Sequence, residues 1–392
     1  MSELLLQEAK DMKEELVAWR RALHQIPEIG THLPQTVSYV TSQLEAMGIP
    51  YTVLEDSSNV IAAIGSGDKC FLLRSDMDAL PVPEETGLPF ASTNGCMHGC
   101  GHDMHAATLL GAAKLLKKHE AELPGVVKLL FQSGEETFSG AAAAIRGGVL
   151  ENPHVDAAFA MHVFAAVDKN TILYHGNPMA AVYGFKITLT GHGGHGSQPE
   201  NCIDPINAGV QVYLALQSLI ARECPPYAEA ALTIGQFEAG NAANVIPQRA
   251  VLQGTLRTFK KEITELMIKR INEIVPAVAA AYRTTAEIEV LSNVPSVVCD
   301  EALNEEFITS IRELNPSVQA VPTLHVMGSE DFAFISDAVP AGYFIIGAGV
   351  EDRSKWLGQH NPKILFNEDS LVMASASYAK VAMDWLKKHC EE

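Results

Sequence analysis

Positively charged residues are scarce in this chain, which has 28 Lys and Arg against 47 Asp and Glu and a formal net charge of −19. Phosphate backbones and anionic lipid surfaces repel a protein with this balance, so neither nucleic acid nor a membrane is an expected partner. The chain also lacks an apolar run of about 18 residues, which a membrane-spanning helix requires. The net charge says little about a small substrate, whose binding depends on local rather than net charge.

Cysteine is sparse as well, with seven residues spread widely through the chain. An odd number at wide spacing suits a reducing compartment better than a disulfide framework. Residues 1–23 mix acidic, basic and apolar positions as an amphipathic helix does, and they show no signal-peptide pattern. We therefore expect a cytoplasmic protein.

A length of 392 residues exceeds one ordinary core, so a large domain accompanied by a smaller one is expected. In the outer parts of the chain, short β-rich runs alternate with helical stretches, which is typical of an α/β sheet with helices on both faces. Strands are predicted at 51–55, 60–64, 70–74, 126–132, 157–163 and 342–346, and helices at 106–118, 139–149 and 370–389. We expect residues 1–180 and 294–392 to form this large mixed-sheet domain.

The central part of the chain, residues 181–293, has a different order of predicted elements. Its strands and helices follow one another as β-α-β-β-α-β, the pattern of a ferredoxin-like fold. Because this segment interrupts the large domain, we expect an inserted small domain that acts as a lid and in dimerisation.

One short stretch is dense in side chains that bind metal ions. Two cysteines and three histidines fall between positions 96 and 105, interleaved with glycines: Cys96, His98, Cys100, His102 and His105. The predicted helix from 106 places them in a loop at a helix N-terminus, where free N–H groups favour a thiolate. Any one of them alone would more often be a packed or backbone-bonded side chain. Their density predicts a metal site.

Further ligand-type side chains follow the predicted strands. Asp76 and Asp78 come after one strand and the pair Glu135–Glu136 after another, while His162 ends a third and His360 lies in a loop after a fourth. Ligands of open α/β sheets gather at the carboxyl ends of the strands, so these residues are expected at one rim. Two adjacent glutamates could instead be solvated, and a lone histidine could be structural.

Several motifs together resemble the amidohydrolase branch of the co-catalytic metallopeptidase superfamily, which includes aminoacylases, hippuricases, auxin-conjugate hydrolases and N-acetyldiaminopimelate deacetylases. The likeness covers essentially the whole chain. Its motifs are Arg-Ser-Asp-Met-Asp-Ala-Leu-Pro at 74–81, Met-His-Gly-Cys-Gly-His-Asp-Met-His at 97–105, Phe-Gln-Ser-Gly-Glu-Glu at 131–136, Gly-Gly-His-Gly-Ser-Gln-Pro at 193–199, Asn-Val-Ile-Pro at 244–247, Gly-Thr-Leu-Arg-Thr-Phe at 254–259, Glu-Asp-Phe at 330–332 and His-Asn-Pro-Lys at 360–363.

The resemblance implies two divalent metal ions per chain, of Zn, Mn or Co. Cys100 would bridge the two ions. His102 and His162 would complete the protein ligands of one ion, and Glu136 and His360 those of the other. The resemblance also implies a homodimer or a larger homo-oligomer.

Catalytic roles are implied for four residues. Glu135 would be the general base and acid, and Asp78 would orient a metal ligand. Asp76 lies where the peptidase branches place a ligand histidine, which leaves the division of roles between Asp76 and Asp78 open. His195, on the small domain, would stabilise the oxyanion, either in the partner subunit or after domain closure.

The remaining polar residues of these motifs receive supporting roles. Asn244 and Arg257 would contact polar groups of the substrate. His98 and His105 are interpreted as partners of the ligands or of the helix end, and Cys96 as a packed side chain.

The expected reaction is metal-dependent hydrolysis of the amide bond of small N-acyl amino acids, with an N-acetyl or N-aroyl group. A cysteine hydrolase with Cys100 as nucleophile and His102 or His105 as base is one alternative. A dipeptidase or carboxypeptidase on the same centre is another, and a non-catalytic metal-binding protein is a third.

Overall fold

The computed structural model describes residues 2–390 of the chain, which divides into two compact units. The first unit comprises Met1–Pro178, Val297–His325 and Asp331–Glu392, and the second comprises Met179–Ser296 and Val326–Glu330. The second unit contains the predicted insertion at 181–293 and adds a short segment from much later in the chain.

The first unit is built on an eight-stranded mixed sheet with the order β1-β2-β4-β3-β5-β14-β6-β13. Its central strands are continuous apolar runs, as expected for strands that are covered on both faces. The strands are β1 (Tyr51–Val53), β2 (Val60–Gly65), β3 (Cys70–Asp76), β4 (Val126–Gln132), β5 (Ala157–Phe164), β6 (Thr171–Leu173), β13 (Gln319–Val321) and β14 (Ala341–Gly347).

Eight helices accompany this sheet in the described part of the first unit. They are α1 (Ser2–Asp11), α2 (Lys13–His24), α3 (Pro34–Ala46), α4 (His102–Lys118), α5 (Gly140–Arg146), α8 (Glu301–Leu314), α9 (Ala333–Ala338) and α10 (Ser370–Cys390). The long helices α4 and α10 pack on each other and on β3. The main hydrophobic core lies there, and it includes Phe71 and Leu73 of β3.

The second unit contains a four-stranded antiparallel sheet with the order β12-β7-β11-β9, against which α6 and α7 pack. With the chain order β7-α6-β9-β11-α7-β12, this is the predicted ferredoxin-like arrangement, and the fold class is confirmed. The elements are β7 (Ala181–Thr190), β8 (Gly194–His195), α6 (Pro205–Arg222), β9 (Ala230–Ala239), β10 (Val245–Ile246), β11 (Arg249–Thr258), α7 (Lys261–Ala281) and β12 (Thr285–Val294). Strands β8 and β10 form a separate two-stranded ribbon.

Two boundaries near the functional region differ from the sequence prediction. The predicted first helix is two helices, α1 and α2, which meet at Met12. Helix α4 begins at His102 rather than at 106, so His102 and His105 lie in its first turn instead of in a loop. Gly101 caps the helix with a left-handed backbone (φ 90°), which lets regular helix start immediately after it.

None of the described helices is both long and apolar enough to cross a lipid bilayer. The most buried of them, α4, instead contacts other helices through a close approach at Gly111. A Cβ at this position would lie 2.5 Å from Cδ2 of Leu16 and would also collide with the hydroxyl of Ser375 in α10. The absence of a side chain therefore sets how closely α2, α4 and α10 pack.

We predict that Gly111→Ala destabilises the metal-free protein, even though alanine is the better helix former by about 1 kcal/mol. Overpacking at the helix contact is expected to outweigh that gain, with a net loss of about 2 kcal/mol in the free energy of unfolding. Urea denaturation followed by circular dichroism measures this loss. Gly235→Ala is the control, because no atom lies within 4 Å of its added Cβ; equal stability of Gly111→Ala and wild type would contradict the prediction.

Candidate metal centre

Four neighbouring parallel strands end at the same edge of the large sheet. Asp76 of β3 is opposite Gln132 of β4, Arg74 is opposite Ala160 of β5, and His162 of β5 is opposite Ile345 of β14. Side chains that follow or end these strands therefore meet at one rim. The predicted ligand-type residues of the large domain come from this rim, from the loop after β14, or from the first turn of α4 and the loop before it.

The turn Cys100-Gly101-His102 brings two ligand side chains to the rim together. Gly101 has no room for a side chain, since a Cβ would lie 2.5 Å from Cγ2 of Val163 in β5. Its left-handed backbone also disfavours any other residue. Cys100 and His102 consequently project into the same small space, and both are buried.

Two groups of potential ligands share Cys100. In each group the ligand atoms lie within 4.8 Å of one another: Cys100, His102 and His162 form one, and Cys100, Glu136 and His360 form the other. The Cys100 sulfur lies 3.3 Å from Nε2 of His162, and Nε2 of His360 lies 3.4 Å from a Glu136 oxygen. The structure thus brings all five predicted ligands together around one sulfur.

The side chains of this cluster fit a pair of divalent cations. Nε2 of His102 is buried and makes no hydrogen bond within residues 2–390; its nearest carboxylate oxygens belong to Asp76 at 3.7 Å and Glu136 at 3.9 Å. A buried polar atom without a hydrogen bond is costly unless another partner, such as a cation, satisfies it. Thiolate, imidazole and carboxylate are ligands of Zn and also of Mn and Co.

The carboxylate of Asp78 accepts hydrogen bonds from three groups of the cluster and orients them. One oxygen accepts from Nδ1 of His102 at 3.2 Å and from the backbone N–H of Glu135 at 3.1 Å. The other accepts from the backbone N–H of Glu136 at 3.1 Å. With its proton held on Nδ1, His102 presents Nε2 as the ligating atom.

Protonation in the cluster is set by burial and by hydrogen bonds. Burial lowers the pKa of His162, which keeps its imidazole neutral, and burial raises the pKa of the Cys100 thiol. Hydrogen bonds with Cys100 and Glu136 raise the pKa of His360 to about 10. Because cations bind thiolate and neutral imidazole, loading this centre with metal would release protons.

Asp76 lies beside the ligands, and both of its oxygens already have partners. One is 2.8 Å from a guanidinium nitrogen of Arg74, and the other is 2.5 Å from Nδ1 of His105. Nε2 of His105 in turn accepts from the backbone N–H of Val163 at 2.9 Å. Asp76 and His105 therefore connect the end of β3 to the end of β5, directly beside His162.

Glu135 projects toward the same space, with 6% of its surface exposed. A carboxylate oxygen of Glu135 lies within 4.8 Å of ligand atoms of His102 and Glu136. Its Oε1 accepts a hydrogen bond from the backbone N–H of Asp331 at 3.4 Å. The Asp331 side chain is held by Arg74 and Gln132 at 3.0 and 2.7 Å. The motif at 330–332 signalled Asp331 in the sequence, but its contact with Glu135 was not predicted.

The second unit carries the other predicted site residues. His195 of β8 is paired with Val245 of β10, and the backbone N–H of Gly196 donates to the carbonyl of Asn244, so His195 and Asn244 lie on one ribbon. Both side chains are exposed. Arg257 of β11 donates to the hydroxyl of Ser329 and is partly buried; burial lowers its pKa.

His98 and Cys96 lie outside the two ligand groups. The His98 ring is buried, and neither of its nitrogens has a hydrogen-bond partner in the described part of the chain. Burial lowers the pKa of His98 to about 4. Cys96 is partly exposed on the preceding loop.

The fold and the ligand cluster are together those of a metal-dependent amidohydrolase. A family model described as peptidase family M20/M25/M40 matches residues 72–384, and the chain belongs to this family. The resemblance drawn from the motifs is thereby confirmed.

Individual relatives match over nearly the full length. IAA-amino acid hydrolase ILR1-like 4 of Arabidopsis thaliana is 35% identical over 98% of this chain and 88% of its own length. N-acetyl-L-cysteine deacetylase of Bacillus subtilis is 34% identical over 93% of this chain and 86% of its own length. Among solved structures, the Bacillus subtilis protein YxeP, a dinuclear metal-binding peptidase of the M20 family, aligns with a TM-score of 0.81 and 32% identity over 96% of this chain and 99% of its own.

We predict that Asp78→Asn weakens metal binding by about 10- to 100-fold. The two carboxylate oxygens of Asp78 accept three hydrogen bonds, and an amide offers only one oxygen, so the His102 ring is held less firmly. Titration of the metal-free protein with Zn²⁺ in a calorimeter measures the affinity. Asp56→Asn makes the same chemical change at an exposed position and is the control. Wild-type affinity in Asp78→Asn would show that Asp78 does not orient the ligand.

Proposed function

We propose that this protein hydrolyses the amide bond of N-acyl amino acids carrying an N-acetyl or N-aroyl group. The observation that carries the proposal is the position of Glu135, a buried carboxylate beside two ligand groups that share one cysteine. The names of the plant and bacterial relatives, an IAA-amino acid hydrolase and an N-acetyl-L-cysteine deacetylase, support an acylated amino acid as substrate.

The proposed ligand set assigns each side chain of the cluster to one of two ions. Cys100 would contact both, His102 and His162 would hold the first, and Glu136 and His360 would hold the second. When bound, such a pair of divalent cations would supply Lewis-acid chemistry, polarising the amide carbonyl and lowering the pKa of a bound water molecule. We propose Zn, Mn or Co as the metal.

Glu135 is the proposed base and acid of the reaction. Its carboxylate would accept a proton from the attacking water and then return it to the leaving amine, so that one residue serves both steps. The N–H of Asp331 and the buried surroundings hold the carboxylate in one orientation. Asp76, whose two oxygens bind Arg74 and His105, is proposed to support the centre rather than to transfer the proton.

His195 is proposed to donate a hydrogen bond to the oxyanion that develops on the amide carbonyl. The backbone N–H of Ser197 donates to Nδ1 of His195 at 3.1 Å, and the Ser197 hydroxyl lies 2.8 Å from the same atom. A neutral His195 therefore carries its proton on Nε2, which makes Nε2 the donor. Asn244 and Arg257 are proposed to bind polar groups of the substrate.

The structure gives little support to a cysteine hydrolase. A nucleophilic cysteine needs a lowered pKa and partial exposure. Burial instead raises the pKa of Cys100, and the sulfur lies among imidazoles and a carboxylate at the centre of the cluster. Inactivation by a chelator and recovery on adding metal would distinguish the two mechanisms.

We predict that Glu135→Gln lowers kcat by about 1,000-fold, because the amide cannot accept the proton of the attacking water. The metal content should stay at the wild-type value, since Glu135 is not among the proposed ligands. Steady-state assays with N-acetyl amino acids measure kcat, and metal analysis of the same sample measures the metal content. Wild-type turnover at unchanged metal content would contradict the assignment of Glu135.

The substrate class is tested by comparing kcat/KM for N-acetyl amino acids, N-benzoyl amino acids and unmodified dipeptides on protein of known metal content. The acylated amino acids should be cleaved faster than the dipeptides. Preference for dipeptides would favour a dipeptidase on the same centre, and absence of any cleavage in a fully loaded protein would favour a binding role.

We also propose that the second unit forms a homodimer through α6 and the edge strand β9. Apolar side chains at helical spacing on α6 are 37–54% exposed, namely Ile206, Val210, Tyr213 and Leu214. Phe237 of β9 adjoins them, since its ring occupies the space where Gly209 of α6 lacks a side chain. An edge strand beside an apolar patch is suited to antiparallel pairing with a second copy about a two-fold axis.

We predict that Leu214→Glu converts the dimer to a monomer, because a charge in the middle of a buried apolar patch is costly. Size-exclusion chromatography with light scattering measures the mass. Val290→Glu on β12, at the opposite edge of the same sheet, is the control, because Val290 is also 54% exposed. A monomeric wild type, or loss of the dimer in Val290→Glu alone, would overturn the proposed interface.

A further inference from the structure

The side chain of Gln359 lies where three ligand-bearing segments meet. Its amide nitrogen donates to the carbonyl of Cys100 at 2.9 Å and to the carbonyl of Val163 at 3.0 Å. Its amide oxygen accepts from the backbone N–H of Ala165 at 3.4 Å. Gln359 is itself the residue before His360, so it connects the Cys100 turn, the end of β5 and the His360 loop.

The chemistry of these partners fixes the orientation of the Gln359 amide. Two carbonyl oxygens face one end, and they require a donor with two N–H bonds. A backbone N–H faces the other end and requires an acceptor. Only the glutamine amide, oriented in this way, satisfies all three partners at once.

The carbonyl that Gln359 binds at Val163 also controls a ligand histidine. Nδ1 of His162 lies 2.8 Å from the same Val163 oxygen, so this carbonyl holds the His162 proton on Nδ1 and leaves Nε2 facing Cys100. The N–H of the same residue donates to His105. Both main-chain polar groups of Val163, its N–H and its carbonyl, are therefore held, and Gln359 is one of the groups that hold them.

The His360 loop has one further attachment to the Cys100 turn. The backbone N–H of His360 donates to the carbonyl of Gly99 at 2.9 Å. Together with the bond from Gln359 to Cys100, this forms two adjacent contacts between the loop and the turn. His360 itself has a left-handed backbone (φ 69°), which a non-glycine residue adopts only where its surroundings hold it.

We propose that Gln359 is a positioning residue that sets the mutual distances of Cys100, His162 and His360 and thereby the affinity of the metal centre. This inference rests on the proposed two-ion site. It requires no contact between Gln359 and a cation or a substrate, because the side chain acts through two carbonyls and one N–H. Its loss would let the His360 loop and the end of β5 move independently.

The test is Gln359→Met, which keeps the length of the side chain and removes every hydrogen bond. We expect about tenfold or greater loss of Co²⁺ affinity when the metal-free variant is titrated, as is found when groups that orient metal ligands are removed. The absorption spectrum of the Co²⁺-loaded variant should shift, and kcat should fall more than KM rises. Gln7→Met makes the same change at an exposed position and is expected to match wild type.

A second pair of measurements separates positioning from general stability. We expect the melting temperature of metal-free Gln359→Met to stay close to wild type, while the rise in melting temperature on adding Co²⁺ becomes smaller. Gln359→Glu, which keeps the shape but cannot donate to the two carbonyls, should bind Co²⁺ at least as weakly.

Three outcomes would overturn the inference. The first is wild-type Co²⁺ affinity and spectrum in Gln359→Met. The second is an equal fall in melting temperature with and without Co²⁺, which would mark a structural residue. In both of these cases a wild type that binds two equivalents of Co²⁺ leaves the proposed function standing. The third is a wild type that binds no Co²⁺, which would remove the two-ion site and this inference together.

Discussion

The site depends on the alignment of four neighbouring parallel strands, β4, β3, β5 and β14, whose carboxyl ends form one edge. Each strand, or the loop after it, carries side chains of the centre, and these side chains are far apart in the sequence. Because side chains alternate between the faces of a strand, a slip of β5 by one residue would turn His162 to the opposite face. The strands are apolar on both faces, so polar contacts at their ends hold this register, among them the hydrogen bonds of Val163 with His105 and Gln359.

The features that depend on local sequence patterns were the ones that the sequence predicted best. The order of elements predicted the class of both sheets and six of the eight strands in the larger one, but not the short strands β6 and β13. The density of ligands from Cys96 to His105 predicted a metal site in this region, whereas the choice of five ligands came from the family resemblance. The sequence predicts the start of α4 too late, because the polar residues after Gly101 favour a loop, whereas the left-handed backbone of Gly101 lets the helix begin at His102. The partners of Asp331 and Gln359 were not predicted, because they are hydrogen bonds between segments distant in sequence, which carry no periodic signal.

The buried guanidinium of Arg74 connects the proposed metal ligands with the proposed base, Glu135. Arg74 is 1% exposed and binds Asp76 on the ligand side and Asp331 on the side of Glu135. Taking such charges out of water is costly, and a well-packed apolar group would often be as stable. What the ion pairs provide is orientation: Asp76 holds His105 against the end of β5, and Asp331 directs its N–H toward Glu135. The proposed metal ligands and the proposed base thus share one rigid support.

The two halves of the centre differ in how they are held. His102 and His162 are buried on regular elements, a helix and a strand, so their positions follow from the packing of the core. His360 is half exposed and lies on a loop with a left-handed backbone that costs roughly 1 kcal/mol. A ligand in that state depends on local hydrogen bonds, which come from Gly99 at its backbone and from Gln359 beside it. The geometry of the proposed ion site with Glu136 and His360 therefore depends on a few polar contacts, whereas that of the proposed site with His102 and His162 depends on the fold.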